Sequence, residues 1–343
     1  MLLCMQKEIL QREQYLINKR ISSIYFGGGT PSVLTASELK LFIHCIEQNF
    51  QLEKTAEITL EANPDDLNET YLQSVAEAGI NRLSIGVQSF IDEELKWMNR
   101  SHSAEDSVRA VRNAQQAGFT NISIDLIYGS KFQSEKSWNE TLTKAFDLNI
   151  QHLSSYNLTI EENTVLGRKH RRGEEESIDD LKSAGMFQAL INKAGDNNFI
   201  HYEISNFAKE GYYAKHNSSY WKGSYYLGIG PGAHSYNGKS RQWNISNNSL
   251  YIAGIQSGKS VYEIEYLGLK DMYNEYILTR LRTIWGIDYT ELCAAFPSEI
   301  QAHFTNRVQP YLKNKTVVLA ANVYSLSREG KLLADKIASD LFL

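Results

Sequence analysis

Segments with the two-residue period of strands alternate with segments of helical period from the N-terminus to Phe207, and this alternation restricts the fold more than any other feature of the chain. "ISSIYFGGG", "AEITLEANP", "NRLSIGVQS", "NISIDLIYG", "QHLSSYNLT" and "IHYEISNFA" read as strands. The opening segment, "MLLCMQKEILQREQYLINKR", brings Leu2, Met5, Ile9 and Leu16 near one helical face. Thr35 and Glu38 form a capping box ahead of "LKLFIHCIEQNF". "DDLNETYLQSVAEAG" is a helix ended by Gly79; helices follow over 92–98 and 103–117 and in "SEKSWNETLTKAFDLN". Ser177 and Asp180 are expected to cap a helix that runs to Ala194.

Strands separated by helices of this length are parallel β/α units, which close into a barrel or wind into an open sheet. Strand parity favours the barrel. Leu83, Ile85 and Val87 share one face of their strand, against Ser84, Gly86 and Gln88. Ile122, Ile124 and Leu126 oppose Ser123 and Asp125, and Ile58 and Leu60 oppose Thr59 and Glu61. A strand covered by helices on both faces is apolar on both. Here one face suits helices, and the other suits the lining of an open, ligand-holding barrel.

After Phe207 the texture changes. Residues 209–250 are rich in Tyr, Gly, Asn and Ser and show no clear period, which reads as a long functional loop region. Helices return from Gly268, and "VVLAANVYSLSREGKLLADKIASDLF" reads as a short hairpin leading into a terminal helix. The expected division is a partial barrel over 1–208, an aromatic and glycine-rich linker over 209–264, and a small, mostly helical domain over 265–343. A net charge of -5 argues against a general nucleic-acid or anionic-membrane surface, so no nucleic-acid partner is expected. No apolar run approaches the ~18 residues of a membrane span, and the N-terminus is too charged for a secretory signal. A cytoplasmic location follows as the default expectation. Cys4, Cys45 and Cys293 are far apart and read as reduced thiols.

Function in a β/α barrel gathers at the C-terminal ends of strands. Those ends supply, in order, Gly27-Gly28-Gly29-Thr30, Glu61, Gln88, Asp125, and Asn157 to Thr159. Each alone reads equally as a turn, a helix cap or a surface group; five in succession around one mouth read as a binding site. Carboxylates there suit ribose hydroxyls, and bare glycine N–H groups suit a carboxylate or phosphate. Arg100 suits a ligand carboxylate in two-point geometry, or is a solvated surface arginine. There is no Walker sequence and no G-x-G-x-x-G.

The motifs "YFGGGTPS", "EITLEANPDDL", "RLSIGVQSF", "LKWMNRSH", "SIDLIYG" and "YEISNFA" occur in an order that resembles oxygen-independent coproporphyrinogen III oxidases and their heme-chaperone relatives, which are radical S-adenosylmethionine (SAM) proteins. The resemblance runs from Ser22 to the C-terminus. It implies an α/β fold: an incomplete parallel (β/α) barrel of the radical SAM type with a small, mostly helical C-terminal domain. It implies that Gly28, Gly29 and Thr30 lie against the methionine part of SAM, and that Glu61, Gln88, Arg100, Asp125 and Thr159 fall on SAM-binding positions. "YGSKFQ" lacks the proline that commonly follows this glycine in the family.

"KHNSSYWKGSYYLGIGPGAHSYNG" contains His216-Asn217-Ser218-Ser219-Tyr220-Trp221, which resembles the H-N-x-x-Y-W motif of the heme chaperones. The resemblance implies heme as cargo, a heme-acceptor apoprotein as partner, and His216 as a ligand of the heme iron; Tyr220, Trp221, Tyr225 and Tyr226 can lie against a flat macrocycle. His234 is a second, weaker candidate. On residues alone, His216 reads as a histidine in an aromatic core. The other branch implied is an oxidase that converts coproporphyrinogen III to protoporphyrinogen IX. Radical SAM proteins hold a [4Fe–4S] cluster on C-x-x-x-C-x-x-C after the first barrel strand, and nothing in the chain matches it. The expectation is therefore that the first strand and cluster loop are absent and that the cluster belongs only to a longer form. "SSIYFGGG" is then expected at an open barrel edge, which invites self-association.

Overall fold

The computed structural model describes residues 1–162, 164–173 and 179–343. In chain order its first elements are α1 (Leu2–Gln11), β1 (Arg20–Phe26), α2 (Ala36–Asn49), β2 (Gln51–Ala62), α3 (Glu69–Glu77), β3 (Arg82–Gln88), α4 (Asp92–Trp97), α5 (Ala104–Gln116), β4 (Ile122–Tyr128), α6 (Glu135–Asp147) and β5 (His152–Asn157). There follow α7 (Val165–Arg171), α8 (Asp180–Asp196), β6 (Ile200–Glu203), β7 (Asn206–Ala208), α9 (Lys215–Trp221), β8 (His234–Tyr236), β9 (Ser240–Asn244), α10 (Asn248–Ser257) and β10 (Tyr262–Tyr266). The chain ends with α11 (Leu269–Leu281), β11 (Ile287–Asp288), α12 (Tyr289–Ala295), α13 (Ser298–Lys313), β12 (Val317–Ala320), β13 (Val323–Leu326), α14 (Arg328–Lys331) and α15 (Ala334–Asp340).

These elements form two compact units: Ile24–Leu39 with Glu57–Ala214, and Met1–Ser23 with Lys40–Ala56 and Lys215–Leu343. A seven-stranded sheet has the order β1-β2-β3-β4-β5-β7-β6, with β2 to β5 parallel and β7 antiparallel to β5 and β6. It is open, with β1 and β6 at its ends, as an incomplete barrel requires. Strand parity is as the sequence reads. Leu83, Ile85, Val87, Ile122, Ile124 and Leu126 are fully buried, each worth about 1.5–3 kcal/mol of burial. Ser84, Asp125 and Gln88 take the opposite face.

Local chemistry fixes the helix starts that carry this sheet. The Thr35 N–H and hydroxyl both donate to Glu38, whose own N–H returns to Thr35 Oγ1 at 3.3 Å; these bonds hold the Glu38 carboxyl below its ordinary pKa. Ser103 with Asp106, and Ser134 with Ser137, close the boxes that start α5 and α6. Four readings need correction. The segment "IHYEISNFA" is not one strand but the hairpin β6–β7, turning at Ile204 and Ser205. The region 209–250 is not one long loop: it holds α9, β8, β9 and the start of α10, all too short for periodicity to resolve. Helix α1 stops at Gln11, so Leu16 is buried outside it. Asp179 caps α8; Ser177 lies outside the described residues.

The second unit holds two antiparallel three-stranded sheets, β10-β9-β8 and β11-β13-β12, with α1 and α10 to α15. Its C-terminal helices bury Tyr273, Ile277, Leu281, Phe304, Val308 and Ile337. Glu8 on α1 and Arg12, which caps that helix one turn later, are buried together. Glu8 accepts from Asn244 Nδ2 at 2.7 Å, Tyr251 Oη at 2.6 Å and the Gly230 N–H at 2.8 Å. Arg12 donates to Gln242 Oε1 at 2.5 Å, Ser235 Oγ at 3.2 Å and the Gly228 carbonyl at 3.4 Å. This network accounts for "LGIGPGAHSY". A Cβ on Gly228 would stand 2.1 Å from the His234 carbonyl oxygen, and Gly230 has φ +102°, so the loop that meets α1 requires both glycines.

Candidate functional sites

Gly27, Gly28, Gly29 and Thr30 follow β1 and are exposed. Gly28 and Gly29 have φ of +76° and +95°, and a Cβ on either would meet nothing within 4 Å. The glycines therefore leave an open cradle of backbone. Gly27 differs: a Cβ there would lie 2.6 Å from the Tyr25 ring. The turn is held by Glu61 near the end of β2, which accepts the Tyr25 hydroxyl at 2.7 Å and the Gly28 N–H at 3.2 Å. Burial and the neighbouring Glu61 carboxylate both raise the Tyr25 pKa, so the phenol stays a donor.

Gln88 ends β3 with φ +66°, a conformation uncommon for a residue with a side chain. The register between β3 and β4 shifts between Ile85 and Gln88, and Gln88 Nε2 folds back over Gly86, where a Cβ would meet it at 2.9 Å. Such irregularities re-aim a side chain at a strand end. Asp125 on β4 is half-buried and accepts from Ser84 Oγ at 3.3 Å. Burial pushes its pKa up to about 6, opposed by the Ser154 hydrogen bond and reinforced by the Glu61 charge. Arg100 is half-buried, and its guanidinium has no hydrogen-bond or ion-pair partner among the described residues. Its backbone N–H bonds the Leu95 carbonyl of α4. That helix is anchored by buried Glu94, which accepts from Ser89 Oγ at 2.5 Å, Ser130 Oγ at 3.0 Å and Gln133 Nε2 at 3.1 Å. Thr159 is exposed beyond β5.

In the other unit, His216 lies near the start of α9. Its Nδ1 is 3.1 Å from Ser23 Oγ and its Nε2 is 3.0 Å from Tyr220 Oη. His216 and Tyr220 are four residues apart and share a helix face, with rings edge to face at 5.0 Å. Tyr220 continues onto Tyr226 at 4.6 Å, and Tyr226 and Tyr225 each onto Tyr236 at 6.1 Å. Burial pushes the Tyr220 phenol up to about 12. The indole N–H of Trp221 is buried with no hydrogen-bond partner among the described residues. His234 is exposed on β8 beside Trp243, at 6.5 Å. Lys215 donates to the Thr55 carbonyl at 2.6 Å. Sequence reasoning did not single out Ser23, Tyr25 or Ser84 as site residues, because each acts through a partner distant in sequence.

The cysteines do not fit an iron–sulfur cluster. Cys4 is packed among Tyr251, Ile255 and Val261, Cys45 lies within α2 and Cys293 within α12. Among the described residues, no three His, Cys, Asp or Glu side chains group to hold a metal ion, and no helix is long and apolar enough to cross a membrane.

Comparison with known proteins adds to this geometry. The family model of the radical SAM superfamily matches residues 6–145, and that of the HemN C-terminal domain matches 267–333. A heme chaperone HemW of Mycobacterium tuberculosis is 31% identical over 342 residues, covering 99% of this chain and 85% of that protein. A heme chaperone HemW of Lactococcus lactis is 34% identical over 281 residues, covering 82% and 74%. The solved coproporphyrinogen III oxidase of Escherichia coli, a radical SAM enzyme, superposes with a TM-score of 0.83 at 23% identity, covering 99% of this chain and 82% of that one. That likeness is one of fold.

Proposed function

The chain belongs to the HemW family of heme chaperones within the radical SAM superfamily, and on that premise we propose that it binds heme at His216 and delivers it to an acceptor apoprotein. The observation that carries this reading is the surface of α9: a half-buried imidazole, the Tyr220 ring beside it, and Tyr226 and Tyr236 continuing the aromatic wall. A neutral imidazole is a standard axial ligand of heme iron. Aromatic faces beside it take part of the macrocycle out of water. A site of one imidazole and a partly exposed wall holds its cargo reversibly, which delivery requires.

The barrel mouth is proposed to bind SAM. Glu61 and Asp125 present carboxylates suited to ribose hydroxyls. Gly28, Gly29 and Thr30 offer backbone that a ligand can approach closely, and Arg100 offers a guanidinium for the ligand carboxylate. Gln88 and Thr159 add polar contacts. The cofactor supplies a sulfonium whose reductive cleavage needs an electron from a cluster, and no step through a cluster is assigned to the cysteines of this chain.

Delivery is tested by loading the protein with hemin, removing the excess, and mixing with an apo-globin. The reading expects the globin Soret spectrum to appear as the chaperone spectrum is lost. Hemin retained on the chain, with no reconstituted globin, would refute delivery.

A further inference from the structure

Both ring nitrogens of His216 are hydrogen-bonded within the chain: Nδ1 with Ser23 Oγ at 3.1 Å, and Nε2 with Tyr220 Oη at 3.0 Å. For a neutral imidazole, two proton arrangements satisfy these two bonds. Either Nδ1–H donates to Ser23 and the Tyr220 hydroxyl donates to Nε2, or the Ser23 hydroxyl donates to Nδ1 and Nε2–H donates to Tyr220. The two hydroxyls are not equivalent. A phenol is the stronger acid, hence the better donor and poorer acceptor, whereas an aliphatic hydroxyl oxygen accepts well. The first arrangement uses each group in its stronger sense.

We propose that Ser23 is the positioning residue that holds the His216 proton on Nδ1, and that Tyr220 occupies the Nε2 lone pair until heme iron displaces its hydroxyl. The proposal rests on the reading of His216 as the heme ligand. Ser23 belongs to β1, whereas His216 is 193 residues further along the chain on α9, so the bond ties a strand to the helix that carries the imidazole. Iron-bound histidines commonly donate their second ring N–H to a fixed acceptor, which sets the tautomer and ring orientation. Free imidazole side chains favour the opposite tautomer, with the proton on Nε2, so the bias must come from the protein. Tyr220 adds the second half of the device. Its hydroxyl covers the nitrogen lone pair that would bind iron, and its ring is held against Tyr226 at 4.6 Å. Coordination then exchanges an O–H···N hydrogen bond for an Fe–N bond, and the freed phenol turns toward solvent or cargo. Release runs in reverse, with the tyrosine hydroxyl recapturing Nε2.

The first test needs no heme. In nitrogen-labelled, heme-free protein, the imidazole nitrogen shifts of His216 read the tautomer directly by NMR. Wild type and Ser23→Thr, which keeps the hydroxyl, are expected to show Nδ1–H. Ser23→Ala is expected to shift toward Nε2–H. An Nε2–H tautomer in wild type, or no change in Ser23→Ala, overturns the proposal. The second test is a hemin titration with stopped-flow association. Ser23→Ala should weaken hemin binding about tenfold, Ser23→Thr should restore it, and Tyr220→Phe should bind hemin several-fold faster. If His216→Ala weakens binding but Ser23→Ala and Tyr220→Phe both behave as wild type, the positioning role is wrong and the ligand reading stands. If His216→Ala binds hemin unchanged, the ligand reading fails, and this role for Ser23 falls with it whatever the tautomer.

Discussion

The hydroxyl of Tyr25 donates to Glu61 Oε1 at 2.7 Å across the first two strands of the sheet, while the other oxygen of that carboxylate takes the Gly28 N–H. One carboxylate thus joins a strand to the glycine turn that follows it. Tyr25→Phe removes a donor and leaves a partly buried carboxylate oxygen short of a partner. The expected cost is about 1 kcal/mol of stability, together with weaker SAM binding because the turn is no longer pinned. Urea unfolding and equilibrium dialysis against SAM check the two effects separately.

The three glycines should respond differently to a methyl group. Gly28→Ala and Gly29→Ala meet no atom but force alanine to a positive φ, at about 1–2 kcal/mol each. They also fill the cradle, so SAM affinity should fall by more than stability does. Gly27→Ala drives a methyl into the Tyr25 ring, and the fold itself should suffer most. Equal SAM affinity for wild type and Gly28→Ala would remove the glycine turn from the binding site.

Asp125 gives the barrel a pH dependence of known sign. Its pKa is raised from 3.8 to about 6 in the folded chain. The folded state therefore holds this proton more tightly than the unfolded chain, and the stability the group contributes is fully present below pH 3.8 and lost as pH rises through about 6. Asp125→Asn should flatten that slope and stabilise the protein at neutral pH by about 1 kcal/mol after discounting for solvent. Binding of SAM should move the other way, because an ionised carboxylate accepts from ribose hydroxyls more strongly than a protonated one: affinity is expected to drop below about pH 6 in wild type only. Thermal unfolding and SAM dialysis across this range check both signs.

Glu8 on α1 and Arg12 at its C-cap form a buried pair whose remaining hydrogen-bonding groups are engaged by β8, β9, α10 and the loop at Gly228 to Gly230. Removing one partner strands the other. Arg12→Ala is expected to cost about 3–5 kcal/mol, with Arg12→Lys intermediate because the ammonium lacks the guanidinium fork. Denaturant titration measures the difference. A loss under about 1 kcal/mol for Arg12→Ala would show that the network is solvated.

Much of the barrel is legible because its signals are local. The alternation of Leu83, Ile85 and Val87 with Ser84, Gly86 and Gln88 names the buried face without any partner in view. The Thr35–Glu38 box spans four residues, and the hairpin of β12 and β13 turns at Ala321 and Asn322, both at positive φ. The turn between β6 and β7 carries Ile204 and Ser205, and serine is only a weak turn former, so the composition barely interrupts the strand pattern. Helix α9 spans seven residues, two turns, too few for a period to stand out. The strand-end polar residues are visible in sequence, but the groups that hold them are not: Tyr25 reaches Glu61 over 36 positions and Ser23 reaches His216 over 193. Local pattern encodes which face a residue takes, whereas its partner across the fold is set by packing.

The central claim, that His216 holds the iron of a heme cargo, is tested most directly by titrating hemin into wild type, His216→Ala and His234→Ala and following the Soret band. The account predicts saturable binding to wild type, a weakened and spectrally shifted complex for His216→Ala, and a smaller effect for His234→Ala. Hemin bound by His216→Ala with the affinity and spectrum of wild type would contradict it and return the histidine to a structural place in the aromatic cluster of Tyr220, Tyr226 and Tyr236.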